Sequence, residues 1–163
     1  MGALSDHVFK SLKEMGIDYD VAQHPPALTT EEADRFIEGK EGVRTKTLFL
    51  TNRKKTAFYL VVTDDAKRLG MEKLTDLLQE NRLSFGSAER LKEKMGLEPG
   101  VVSLFGLLNN KDHDINVYLD KEILSQERIT FHGNENTNTV FIKMEDVYRF
   151  LNHLSYDYQI IDL

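Results

Sequence analysis

Val8, Leu12 and Met15 recur at helical spacing between Ser5, a side chain suited to an N-cap, and Gly16, a helix stop. The pattern predicts a helix over Ser5–Met15. Ile17, Tyr19 and Val21 then alternate with Asp18, Asp20 and Ala22, the period of a half-buried strand, until His24-Pro25-Pro26 breaks it. Thr29 and Glu32 have capping-box spacing. Ala33, Phe36 and Ile37 give the short helix that follows one apolar side, and Gly39 closes it. Two strands are predicted next, Arg44–Thr51 and Thr56–Thr63, joined by the polar turn Asn52-Arg53-Lys54-Lys55. The run AFYLVV in the second is apolar almost throughout, as expected of a central strand covered on both faces.

Leu74, Leu77 and Leu78 mark a helix over Met71–Glu80, and Arg82–Phe85 is a short extended piece. Ser87 caps a further helix with Ala88, Leu91 and Met95 inward and Gly96 at its end. Residues 96–110, GLEPGVVSLFGLLNN, are punctuated by Gly96, Pro99, Gly100 and Gly106 and read as an irregular loop. Strands are predicted at Ile115–Leu119, Ile129–Phe131 and Val140–Ile142, the last two separated by a polar turn. A helix over Glu145–Leu154 buries Val147, Phe150, Leu151 and Leu154, and the extended run YQIIDL follows. Hairpins mixed with crossovers imply a mixed sheet flanked by helices. With no linker, repeat or low-complexity segment, residues 1–163 read as one α/β domain.

Composition agrees. A chain of 163 residues with 40% hydrophobic and 29% charged residues is an ordinary single domain that needs no staple. The absence of cysteine excludes disulfides, thiolate zinc sites, iron–sulfur clusters and a Cys nucleophile. No apolar run approaches the roughly 18 residues of a membrane span, and MGALSDHVFKSLKEMG lacks the plan of a signal peptide, so a cytoplasmic location is expected. The net charge of −6 disfavours non-specific nucleic-acid binding but leaves room for a local basic patch. Lys40, Arg44, Lys46, Arg53, Lys54 and Lys55 fall close together, with acids just before or among them; from composition alone they read as a solvated face.

Phosphate-loop, dinucleotide, zinc-protease and nucleophile-elbow motifs are all missing. The five histidines have no metal-ligand spacing, and no metal is expected. Three pieces remain. Lys46 sits inside a predicted strand and must either point outward or be held by a partner at a pocket. The loop from Gly96 to Gly106 is either a surface connection or a cradle of backbone N–H groups. His132, at a strand end before a polar turn, is either a surface His or part of a cleft wall.

In this order the pieces resemble a known family. HPPALTTEEA (24–33), RTKTLFLTNRKKTAFYLVV (44–62), RLSFGSAERLKEKMGLEPGVVSLFGLLNN (82–110) and FHGNENTNTVFI (131–142) are similar to the free-standing prolyl-tRNA editing proteins of the YbaK and aminoacyl-tRNA synthetase-associated domain family. The resemblance implies a single domain with a mixed, strongly curved sheet wrapped by helices. It implies a metal-free deacylase, with no cofactor, acting on the acceptor end of mischarged tRNA(Pro), with alanyl-tRNA(Pro) as the leading substrate and a prolyl-tRNA synthetase as a compatible partner. A deacylase for cysteinyl-tRNA(Pro) and a non-catalytic binding module are the other readings. Lys46 matches the family's strand lysine and His132 its pocket histidine. Gly100, Val101, Val102, Ser103 and Gly106 match the loop that shapes the pocket, with Thr30 and Asn138 as further substrate contacts. Lys40, Arg44, Arg53, Lys54 and Lys55 would form the tRNA-phosphate patch. Backbone N–H groups of Gly100–Ser103 would hold the carbonyl oxygen, with a tRNA ribose hydroxyl helping to activate water. Gly133 and Leu104 stand where the family commonly has proline, and Asn138 also departs from its pattern, which bears on the choice of amino acid.

Overall fold

The computed structural model describes residues 2–163, apart from the Thr30 side chain. Helix α1 (Ala3–Glu14) leads to strand β1 (Asp20–Gln23), helix α2 (Thr30–Phe36), and the hairpin β2 (Thr45–Asn52) and β3 (Phe58–Asp64). Helix α3 (Met71–Leu77), strand β4 (Leu83–Phe85) and helix α4 (Ala88–Met95) follow. Then come β5 (Ile115–Asp120), the hairpin β6 (Arg128–His132) and β7 (Asn138–Lys143), helix α5 (Met144–His153) and β8 (Tyr158–Ile161).

Strand β3 is buried from Phe58 to Thr63 and lies between antiparallel β2 and parallel β5, as its continuous apolar run predicts. The larger sheet has the order β4-β2-β3-β5-β8 and the smaller one β1-β7-β6. The single mixed sheet expected from sequence is therefore two ladders. They join at one parallel bridge between Val43 and Ile129, where the Val43 N–H donates to Arg128 O (2.8 Å) and the Thr130 N–H to Val43 O (3.1 Å). Strands β4, β8 and β1 are left as edges, so the sheet does not close.

The main core fills the space between the ladders and the helices. Phe105 is fully buried there, edge-on to Phe131 (5.5 Å between centroids) and Phe150 (5.4 Å). A second core, around Leu50, Tyr59, Val61, Leu74 and Leu78, lies on the other face of the larger sheet under α3. Two local expectations change. Residues Leu104–Asn109 form a 3-10 helix, because the Ser103 hydroxyl accepts the Phe105 N–H (3.1 Å) and starts a turn. Ser5 does not cap α1. Its N–H donates to the Glu135 carboxylate (2.7 Å), which serves as the cap from a distant turn, and its hydroxyl donates to Gly133 O (2.5 Å).

Candidate functional site

The site arises from an interruption in the pairing of one strand edge. In β2 the even-numbered residues turn their backbone groups toward β3, as shown just outside and at its end by Asp65 N–H to Arg44 O (2.8 Å) and Asn52 N–H to Ala57 O (3.3 Å). The odd-numbered ones face the opposite edge, where Phe49 O accepts the Gly86 N–H (2.9 Å) and Val43 pairs with β6. Strand β4 covers this edge only from Leu50 to Asn52. Between the end of β6 and the end of β4 lies a gap, and there a cavity of about 340 Å³ opens.

Residues Thr45–Phe49 form the floor of the cavity. Phe131 and His132 close one end, Phe85 and Gly86 the other, and Leu91, Pro99, Gly100 and Val102 the side opposite. Gly86 is required where it stands, because a Cβ would lie 2.4 Å from the Phe49 ring. Gly100 serves its conformation rather than space: its φ is +92° and nothing lies within 4 Å of a built Cβ. The loop wall is anchored from behind by Lys94. Its buried ammonium bonds Asp114 (2.5 Å) and Asp112 (3.0 Å), while its carbonyl accepts from the Asn110 amide (3.1 Å).

Two titratable groups border the cavity. Burial and the neighbouring His24 push the His132 imidazole below its ordinary value, against a smaller opposing pull from the Asn138 backbone. His132 is therefore neutral near pH 7, and its buried Nδ1 makes no hydrogen bond within the chain. His24 is itself held by Thr139 Oγ1 (3.1 Å) and stacked on Phe36. Lys46 borders the floor, and its ammonium donates to the carbonyl of Lys67 (2.5 Å). That carbonyl is fixed by its own side chain, because Lys67 Nζ bonds the fully buried Asp120 (2.8 Å) and Glu122 (2.5 Å).

Asp65 lies beside Lys46 and against Asp34 of α2. Burial, Asp34 and Asp64 push its carboxyl up to about 8, opposed by Lys46. Between an unfolded value near 3.9 and about 8 the folded chain holds the extra proton, so this group's contribution to stability falls as pH rises through that window. Asp65→Asn is expected to match wild type at pH 4 and to be more stable at pH 8.5, by about 1 kcal/mol after allowing for solvent screening. Thermal melts at the two pH values check this, and equal midpoints at pH 8.5 would refute it.

Of the residues predicted from sequence, the structure brings together Lys46, His132, Gly100 and Val102 on the cavity wall. Others are elsewhere. Ser103 is buried as the cap of the 3-10 helix, and Gly106 is packed where a Cβ would meet Leu97 (2.8 Å) and Met95 (2.9 Å). Val101 is not on the wall, and its N–H is committed to Glu98 O (3.2 Å), which removes it as a carbonyl-oxygen donor. Asn138 is buried under the β6–β7 turn, accepting the Gly133 N–H (3.1 Å) and donating to Ser5 Oγ (2.8 Å), so it shapes the turn rather than the wall. Thr30 opens α2, but its side chain lies outside the described residues.

The expected cationic patch is divided. Lys40 is exposed near the start of β2. Arg44 is spent on the carbonyls of Gly42 (2.7 Å), Ile37 (2.9 Å) and Lys40 (2.6 Å). Arg53, Lys54 and Lys55 are exposed in the turn at the far end of β2, about 25 Å away by strand rise. Arg53 and Lys54 line a separate groove with Arg82 there. Sequence reasoning missed Lys67, Asp65 and Asp120, whose only signal was polarity at strand ends. Among the described residues no group of three or more His, Asp or Glu is placed to hold a metal ion, and no helix is long and apolar enough to cross a membrane.

Residues 24–150 match the model of the aminoacyl-tRNA editing domain. The chain is 32% identical over 157 residues to the prolyl-tRNA editing protein ProX of Acetoanaerobium sticklandii, covering 96% of this chain and 95% of that protein. It is 27% identical to prolyl-tRNA synthetase associated domain-containing protein 1 of Bos taurus, covering 90% and 87%. Among solved structures, one described as a putative trans-editing enzyme for prolyl tRNA synthetase superposes with a TM-score of 0.77 at 21% identity, covering 100% of this chain and 98% of that one. With the cavity built from the same segments that the family model spans, the chain belongs to the aminoacyl-tRNA editing domain family.

Proposed function

We propose that this protein is a trans-acting deacylase of mischarged tRNA(Pro), with alanine as the amino acid removed. The observation that carries the reading is the cavity in the edge of β2, where Lys46, the neutral His132 and the Gly100 loop converge on one small, mostly apolar space. The family membership and the ProX relative support the reaction class.

An aminoacyl ester is already activated, so positioning and a polarised carbonyl account for most of what a catalyst must add. Water adds to the ester carbon and the ribose oxygen leaves with a proton. Lys46, released from Lys67 O, supplies positive charge to the leaving oxygen or to the terminal nucleotide. His132 closes the end of the cavity as a neutral ring, and the ribose hydroxyl next to the ester helps to activate the water. Discrimination against proline comes from the limited space, since attraction to one methylene more or less is worth only about 1–3 kcal/mol. The acceptor stem would meet Lys40 at one end of β2 and the Arg53–Lys55 turn at the other, so affinity falls as salt rises.

The test is hydrolysis of alanyl-, cysteinyl- and prolyl-tRNA(Pro) by the wild-type protein. Fast loss of alanine, with prolyl-tRNA(Pro) at least about 10-fold slower, is expected. Preferential loss of cysteine would replace the substrate. Tight binding of all three without turnover would make the protein a binding module instead.

A further inference from the structure

The gap that makes the cavity leaves the outer edge of β2 between Val43 and Phe49 without a strand beside it among the described residues. Val43 is paired to β6 and Phe49 to Gly86, so on this edge of β2 the residues between them are Thr45 and Thr47. The Thr45 side chain reaches across to Thr130 O beside β6. Thr47 sits in mid-gap, where its N–H and C=O, both on the odd-numbered edge, point into the cavity instead of at a strand.

An unpaired donor and acceptor side by side on a strand edge is what another residue's backbone recognises. In an antiparallel hydrogen-bonded pair, two residues exchange both N–H···O bonds. An aminoacyl ester carries the same two groups at one residue's spacing, an α-ammonium that donates and a carbonyl that accepts. We propose that the aminoacyl group docks as the missing strand residue opposite Thr47: its ammonium donates to Thr47 O, and the Thr47 N–H donates to the ester carbonyl oxygen. This rests on the deacylase reading and deepens it.

Two consequences follow from the geometry. Directly paired residues put their side chains on the same sheet face. The amino-acid side chain therefore enters the space among Phe49, Leu91, Val102 and Phe131, the apolar part of the wall. When water adds to the carbonyl carbon, the displaced π pair settles on the oxygen already held by the Thr47 N–H. The carbon–ribose oxygen bond then breaks and the ribose oxygen takes the proton. Thr47 thus contributes the oxyanion donor, in place of the loop amide at Val101, which is already used.

The experiment removes one atom pair. Thr47 is replaced by its α-hydroxy analogue, which converts the N–H to an ester oxygen and keeps the side chain. Thr47→Ala, which retains the N–H, is the reference. With alanyl-tRNA(Pro), kcat of the hydroxy-acid protein is expected to fall about 10²–10³-fold below that of Thr47→Ala, with KM changed far less. Circular dichroism establishes that the fold is kept. In parallel, the 15N-labelled wild type is titrated with an alanyl-3′-amino-adenosine amide, and the Thr47 amide proton is expected to move downfield. A kcat within about threefold of the reference, or a Thr47 amide unmoved at saturation, overturns the inference. If the wild type hydrolyses no charged tRNA, the deacylase reading falls, and the titration alone decides whether Thr47 binds the aminoacyl group.

Discussion

Replacing Lys46 by alanine is expected to cut deacylation of alanyl-tRNA(Pro) by about 10²–10³-fold, the usual loss when a single charge-stabilising group leaves a water-poor site. Lys46 is half-buried and is the one lysine among the residues that line the cavity. Its attachment to Lys67 O is a single hydrogen bond to a neutral acceptor, a partner that an anionic or developing-oxyanion group outcompetes. Stability should change little, since a lone hydrogen bond of this kind contributes about 1 kcal/mol. Lys46→Arg keeps the charge but not the compact head group and should recover only part of the rate. Single-turnover hydrolysis with matched thermal melts checks both halves. An alanine variant at wild-type rate would remove Lys46 from the mechanism.

Lys67→Met is expected to cost about 3–5 kcal/mol of stability, because it leaves the carboxylate of Asp120 buried without its cation. Asp120 is fully buried, and Lys67 Nζ is 2.8 Å from it. Burial alone would raise its carboxyl. Lys67, the Thr63 hydroxyl (2.6 Å) and the Glu122 N–H (3.2 Å) together hold it below the ordinary carboxylate value. The stability this supplies is present above the unfolded value near 3.9 and is lost as pH falls through the lower folded value. In Lys67→Met the sign reverses: the buried acid takes up a proton more readily than in the unfolded chain. The variant's deficit should therefore be largest at neutral pH and narrow toward pH 4. Urea unfolding across that range measures it, and a deficit under about 1 kcal/mol at pH 7 would show that the pair is not what holds the end of β3 to β5. The same variant frees the Lys67 carbonyl that receives Lys46, so activity should drop with it.

Some of this was legible in the residues themselves. The continuous run AFYLVV announced a strand covered on both sides, and β3 is that strand. Thr29 and Ser87 were readable as caps because their partners are three residues away, and both accept the expected N–H. Gly96 was readable as a helix stop for the same reason, and it adopts the left-handed conformation. Ser5 was misread because its helix is capped by Glu135, 130 positions away. The 3-10 helix after Ser103 was hidden by glycines that usually mark loops.

The site divides in the same way. Lys46, His132 and the Gly100 loop drew notice one by one, as residue types out of keeping with their local pattern. Ser103, Gly106 and Asn138 lie in the same segments yet face the core, because a segment's resemblance does not say which side of it meets the cavity. The basic residues around β2 were close in number, but an extended strand carries its two ends far apart.

By itself the sequence determined nearly all of the elements, their order and the mixed α/β class, because these follow from contacts within a few residues or from apolar periodicity. The segments that build the cavity were marked by the family resemblance. Only the tertiary structure decided that β6 and β4 stop short of each other on one edge of β2, that Thr47 is left facing the gap, and that Lys46 rests on a carbonyl fixed by Asp120. Those facts depend on strand order and register, which are set by packing between residues far apart in the chain and leave no local mark on it.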